Sequence, residues 1–85
     1  MEPKVVYISD DWSEVAPSGA FVIIQSEGGS EFEVRQSDEK PGNDDVGILV
    51  TKRGEAVTDT ATAKAVWARA TARGLTGLAI RVSAQ

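Results

Sequence analysis

The sequence contains neither cysteine nor histidine. Without cysteine there is no disulfide framework, and no thiolate can act as a nucleophile or a metal ligand. Without histidine there is no imidazole ligand and no histidine general base, so a serine–histidine triad is excluded. The glycines match neither the G-x-S-x-G motif nor the spacing of nucleotide-binding loops. We therefore expect a protein that is not an enzyme and that uses no cofactor.

Long apolar segments are missing as well. The most apolar stretch, residues 20–26, is far shorter than the roughly 20 residues that cross a bilayer as a helix. The first residues, MEPKVVYISDD, lack the apolar centre of a secretion signal. We expect no membrane partner, no membrane anchor and no secretion signal.

The chain is short, and its 85 residues correspond to one small domain. Apolar residues make up 41% and charged residues 26% of the sequence, which is typical of a folded domain and not of a disordered tail. We predict one β domain over residues 1–85, with residues 1–3 as a flexible end. Without disulfides or metal, a domain of this size is marginally stable alone, and association between copies would stabilise it.

Charge is distributed unevenly along the chain. Residues 1–45 contain eleven acidic and three basic side chains, which gives a net charge of −8. Residues 46–85 contain two acidic and six basic side chains, which gives a net charge of +4. The overall charge of −4 and the scattered basic residues argue against a nucleic-acid partner. The simplest interpretation is a solvated surface. The alternative is a head-to-tail interface that pairs opposite charges between copies and closes into a ring.

Short segments rich in β-branched and aromatic residues alternate with turn signals, as in all-β domains. Residues 31–36 alternate between apolar and polar side chains, which predicts a half-buried strand, and residues 20–26 are predicted to be buried on both faces. Residues 37–45 lack apolar side chains and contain Pro41-Gly42, so they are predicted to form the main surface loop. We predict a small antiparallel β-sandwich or jelly-roll-like module of about six to seven strands, drawn from residues 4–9, 12–15, 20–26, 31–36, 46–50, 56–60, 64–71 and 76–83.

Residues 61–73 are ambiguous between helix and strand. Their alanine content, Asp59 or Thr60 as an N-cap and Gly74 as a stop favour a short helix. The alternation of Val66, Ala68 and Ala70 with polar or large residues favours a strand, as does the strand-rich context. We predict a strand there.

Paired carboxylates occur at three places, each in a predicted turn. These are Asp10-Asp11, Asp38-Glu39 and Asp44-Asp45. Such pairs are able to bind Ca²⁺, but none has the alternating register of an EF-hand loop. We predict turns and no metal site.

Four aromatic residues provide most of the bulk available to a core that is otherwise alanine and valine. We predict that Trp12, Phe21, Phe32 and Trp67 are fold anchors, because burial of such side chains is strongly stabilising. The alternative is a sugar-binding platform formed by Trp12, Trp67 and Tyr7, with Trp12 or Tyr7 exposed.

The order of the motifs resembles that of small phage virion proteins. The resemblance rests on W-x-x-V at 12–15, FVIIQS at 21–26, VRQSDEKP at 34–41, VGILV at 46–50, GEAVT at 54–58, VWARA at 66–70 and LAIRV at 78–82. It covers most of the chain, and the alanine-rich stretch before VWARA departs from it. These motifs are packing and turn signatures, and the fold that they imply is a compact β-sandwich or jelly-roll-like module.

The resemblance implies a capsid decoration or cement protein. Such a protein is made in the host cytoplasm and lies on the exterior of the virion in many copies, where it bridges subunits of the major capsid protein or other virion proteins. A homo-oligomer is implied, with a trimer favoured. The alternatives are a tail or fibre component of the particle, and a small glycan-binding module for host attachment. Candidate cations for contacts between subunits are Arg35, Lys52, Arg53, Arg69 and Arg81.

Overall fold

A computed structural model describes residues 4–27, 30–51 and 61–85, together with the backbone of residues 55–57. These residues form eight strands, compared with the six to seven expected. The strands are β1 (Lys4–Ile8), β2 (Ser13–Ala16), β3 (Val22–Ser26), β4 (Phe32–Gln36), β5 (Ile48–Val50), β6 (Glu55–Val57), β7 (Val66–Ala70) and β8 (Leu78–Ala84).

The strands form two antiparallel sheets of four strands each. One sheet, called sheet A, has the order β1-β8-β3-β6, and the other, sheet B, has the order β2-β7-β4-β5. The predicted all-β class and the sandwich form are therefore confirmed. No helix occurs in the part of the chain that the structure describes, so the strand interpretation of residues 61–73 holds for Val66–Ala70.

The core lies between the inner faces of the two sheets. Sheet A contributes mainly isoleucine, valine and leucine, and sheet B contributes alanines and valines around Phe32. Phe32 is opposite Ala70 on the neighbouring strand, and Val34 is opposite Ala68. Small side chains on β7 thus leave room for the ring of Phe32 on the inner face of this sheet. This packing explains why alanines with high helix propensity lie in a strand, because burial in the sandwich outweighs the local preference.

Strand β3 corrects the prediction that both of its faces are buried. Val22 and Ile24 point into the core, whereas Ile23 is half-buried and Phe21, just before the strand, is 50% exposed. Sheet A is covered by sheet B on one face only, so alternate side chains of β3 face outward. Phe21 is therefore not a core anchor.

Candidate functional site

The predicted surface loop, residues 37–45, lies on the outer face of sheet B, and residues 46–47 connect it to β5. We refer to residues 37–47 as the strap. Its first backbone amide, that of Ser37, donates to the carbonyl of Ala65, and within it Asp45 N donates to Gly42 O. Gly42 N also donates to Asp45 Oδ2 at 2.7 Å. Side chains of sheet B and of the β1–β2 turn hold the strap from outside.

Both tryptophans donate hydrogen bonds to the strap. Trp12 Nε1 donates to the carbonyl of Gly42 at 3.1 Å, and Trp67 Nε1 donates to the carbonyl of Ser37 at 3.0 Å. Trp12 is only 2% exposed but does not belong to the core cluster between the sheets, whereas Trp67 is half-buried. The strap and Trp12 therefore form a second, smaller packing unit, and Trp12 anchors this unit.

Arg69 is the centre of this unit. Its guanidinium lies over the indole ring of Trp12, with Cζ 4.5 Å from the ring centroid. Nη1 donates to Asn43 O at 3.1 Å, and Nη2 donates to Asp45 O at 2.8 Å. Nη2 also lies 3.5 Å from Glu33 Oε2 on the neighbouring strand. One planar guanidinium thus joins an aromatic ring, two strap carbonyls and a carboxylate, which its fork of donors permits.

The end of the strap is held from β4. Arg35 Nη1 donates to Val46 O at 2.7 Å, and Gly47 N donates to Glu33 Oε2 at 3.1 Å. A Cβ atom added at Gly47 would lie 2.5 Å from Val34 O and 3.2 Å from Trp12 Cη2. The backbone therefore approaches β4 and the indole more closely than any residue with a side chain permits.

A surface ion pair fastens the middle of the strap to the β1–β2 turn. Lys40 Nζ donates to Asp11 Oδ2 at 2.8 Å. This hydrogen bond, with the positive charge of Lys40, holds the pKa of the Asp11 carboxyl below its ordinary value of 3.8.

A polar cavity of about 530 Å³ opens beside this unit, and its lining includes Asp10, Asp11, Glu33, Arg69 and Arg73. Asp10 Oδ2 accepts a hydrogen bond from Gly74 N at 2.8 Å and so ties the β1–β2 turn to the turn after β7. The other two carboxylates contact Lys40 and Arg69, as described above. The carboxylates that line the cavity are therefore engaged in hydrogen bonds and ion pairs within the fold. No group of three or more metal-ligating side chains lies together among the described residues.

The strap contains a serine and a lysine at a spacing that is also found in catalytic sites. Ser37 and Lys40 have the S-x-x-K spacing of one class of serine enzymes. In the structure, however, Lys40 Nζ donates to Asp11 Oδ2. Ser37 N donates to Ala65 O, and Ser37 O accepts from Trp67 Nε1. The structure does not join Ser37 to Lys40.

The structure places the predicted site residues as follows. Phe32 and Trp12 are buried anchors, although Trp12 packs under the strap and not between the sheets. Because Trp12 is buried, its ring is not accessible to a sugar, whereas Tyr7 is 70% exposed. The predicted intersubunit cations Arg35, Arg69 and Arg81 all have partners within the chain, and that of Arg81 is Glu27 at 3.0 Å. Lys52 and Arg53 lie outside the described residues.

Sequence reasoning missed the strap as a packed element. One feature of the sequence could have indicated it. Trp67 and Arg69 share one face of β7, and Arg35 lies on the same face of the neighbouring strand β4. Such a face is able to donate many hydrogen bonds, and a largely polar loop supplies carbonyls that accept them.

Exposed apolar side chains lie in two places. Val5, Tyr7 and Phe21 are associated with the outer face of sheet A, and Val46, Ile48 and Leu49 lie at and just before β5. Among the described residues, no helix is long and apolar enough to cross a membrane. Comparison of the chain with known protein families, with curated protein sequences and with solved structures finds no match.

Proposed function

We propose that this chain is a structural protein of a phage virion, and specifically a capsid decoration protein present in many copies. The observation that carries the proposal is the pair of exposed apolar regions on an all-β sandwich. Exposed apolar side chains of this kind provide area that is buried on contact with other proteins. The order of packing motifs that resembles small virion proteins supports the same role.

In this role the protein acts mechanically. Each copy contacts neighbouring capsid subunits and adds buried apolar area at contacts on which the pressure of the packaged DNA acts. Many such contacts, each weak alone, sum through multivalency when the copies are themselves joined, and a trimer is the assembly that the resemblance favours. The acidic surface keeps free copies soluble and apart from the packaged nucleic acid.

The test begins with the mass of the purified protein by light scattering, followed by mixing with capsids that lack it. A mass of about 27 kDa, three times 9.0 kDa, is expected, together with cosedimentation and a higher temperature of capsid disruption. Binding to tail structures instead would assign the chain to the tail or fibre. Retention on glycans through Tyr7, without capsid binding, would replace the proposal by host attachment.

A further inference from the structure

The strap is a loop between two paired strands. It follows β4 and precedes β5, and these strands pair antiparallel, with Val34 opposite Ile48. The sheet itself therefore holds the two ends of the strap close together. A compact surface loop with neighbouring ends is an Ω-loop, and loops of this kind are often functional. Many of the loops that open and close over protein surfaces are anchored in the same way, at two fixed ends.

The strap contributes little to the core of the sandwich. Among the described residues, the core cluster between the sheets includes no residue of 37–47, and Pro41 is the one strap residue that is buried. No described strand pairs with the strap. The start of the strap is fixed, because Ser37 N donates to Ala65 O and Ser37 O accepts from Trp67 Nε1. Movement of the remainder away from sheet B therefore leaves the core and the hydrogen bonds between strands complete.

Beyond Ser37, polar contacts keep the strap closed. Guanidinium groups of β4 and β7 donate to carbonyls of the strap, and Gly47 N donates to Glu33. Lys40 pairs with Asp11, and both of these side chains are more than half exposed. Water replaces such partners when the strap leaves the sheet, so each contact stabilises the closed form only modestly. A segment with few buried apolar contacts opens at a lower free energy than that of global unfolding.

Opening of the strap would uncover Trp12. The indole is 2% exposed, Nε1 donates to Gly42 O, and a Cβ atom at Gly47 would lie 3.2 Å from Cη2. The guanidinium of Arg69, which lies over the same ring, would lose its acceptors in the strap. The open form therefore presents an aromatic ring and a guanidinium with free donors, both of which the closed form covers.

We propose that the strap is a lid that opens from its attachment at Ser37 while the two sheets stay folded, and that opening uncovers Trp12 and Arg69. The structure describes the closed form. The inference goes beyond the proposed function and does not rest on it, because it concerns a motion of the free chain. Its test therefore needs no capsid, and failure of either one leaves the other undecided.

Hydrogen exchange of the full chain, followed by nuclear magnetic resonance at low and rising urea concentrations, tests the proposal. The strap probes are Trp12 Nε1–H and Gly47 N–H, whose bonds join the strap to the β1–β2 turn and to β4. The sandwich probes are amides of β7 and β8, which are interior strands of the two sheets. After correction for intrinsic rates, we expect both strap probes to exchange at least about tenfold faster than the slowest sandwich amides, and to depend less on urea.

Three results of this experiment would overturn the proposal. If the strap probes show the urea dependence of the slowest sandwich amides, the strap opens only by global unfolding. If Trp12 Nε1–H exchanges rapidly and Gly47 N–H does not, the motion belongs to the β1–β2 turn. If both probes exchange at the rate of unprotected groups, these bonds do not close the strap in solution.

A variant of the core separates lid opening from global unfolding. Ile80 is fully buried in sheet A, and Ile80→Val should speed exchange of the slowest sandwich amides about two- to tenfold. The strap probes should keep their wild-type rates, because the core is intact in both the closed and the open form. A parallel rise in the rates of the strap probes would contradict the lid.

Lys40→Gln and Arg81→Gln form a matched pair of surface variants. Each removes one positive charge and one exposed ion pair, that of Lys40 with Asp11 or that of Arg81 with Glu27. Lys40→Gln should speed exchange of the strap probes about two- to fivefold, because its ion pair is broken in the open form. Arg81→Gln should leave these rates unchanged, because its ion pair is kept when only the strap opens. Equal effects of the two variants on the strap probes would mean that the strap does not open separately.

Discussion

The guanidinium of Arg69 lies over the ring of Trp12, with 4.5 Å between Cζ and the ring centroid, and the two side chains together hold the strap on sheet B. Trp12 binds Gly42 O, and Arg69 binds the carbonyls of Asn43 and Asp45. Residues 37–45, which lack apolar side chains, are thereby packed by an aromatic ring and a cation from outside the strap. The stability of this arrangement is open to direct measurement.

Replacement of Trp12 by alanine should lower the free energy of unfolding by about 3–5 kcal/mol, because a fully buried indole and its hydrogen bond to Gly42 are both lost. Trp12→Phe keeps most of the ring and should lower it by about 1–3 kcal/mol, since Gly42 O loses its donor. Denaturant titration measures both values. Trp67→Phe is the control, because it removes a similar bond from a half-buried ring and should have a smaller effect. Equal effects of the two phenylalanine variants would contradict the central role of Trp12.

Arg69→Lys should destabilise the fold by about 1–3 kcal/mol although the positive charge is kept. A lysine has no planar fork with which to reach two carbonyls and a carboxylate while it stacks on Trp12. Arg81→Lys is the matched control, because the pair of Arg81 with Glu27 is far more exposed than that of Arg69 with Glu33. The control should change the free energy of unfolding by less than about 1 kcal/mol. Thermal and urea unfolding of the two variants, side by side, is the measurement.

Gly47→Ala should destabilise the protein by about 1–3 kcal/mol, because the new methyl group would overlap the carbonyl of Val34. Gly42→Ala, in the same strap, is the control. Its Cβ would lie 3.7 Å from Asp45 Oδ2, an ordinary contact, so a change within about 0.5 kcal/mol is expected. If the two variants unfold alike, the close approach at Gly47 is not what fixes the strap. Chemical unfolding of both proteins decides the matter.

The Asp11–Lys40 pair predicts a dependence of stability on pH. The pKa of Asp11 is lowered in the folded protein, so the pair stabilises the fold at pH values above the ordinary pKa of 3.8. This contribution should disappear as the pH falls from about 3.8 through the lower folded pKa, since the carboxyl becomes protonated. Asp11→Asn should therefore narrow the difference in stability between pH 6 and the most acid conditions. Unfolding curves over that range, with a nuclear magnetic resonance titration of the Asp11 carboxyl, test the prediction, and an Asp11 that titrates at its ordinary value would contradict it.

Strand positions could be predicted from the sequence to a large extent. Alternation in residues 31–36 and 76–83 identified β4 and β8, because period two is a property of each strand alone. The same reasoning identified β7 despite its alanine content. It was wrong about Phe21, since alternation shows which side chains share a face but not whether a second layer covers that face.

The sequence by itself determined an all-β chain without cysteine or histidine, with its strands and turns placed by local alternation and by glycine, proline and aspartate. Only the tertiary structure decided that residues 37–47 pack on sheet B and that Trp12 and Arg69 hold them there. The reason is physical. Alternation acts between neighbours along the chain, whereas the partners of Trp12 and Arg69 are 24 to 57 positions away and meet only when the sheets have formed.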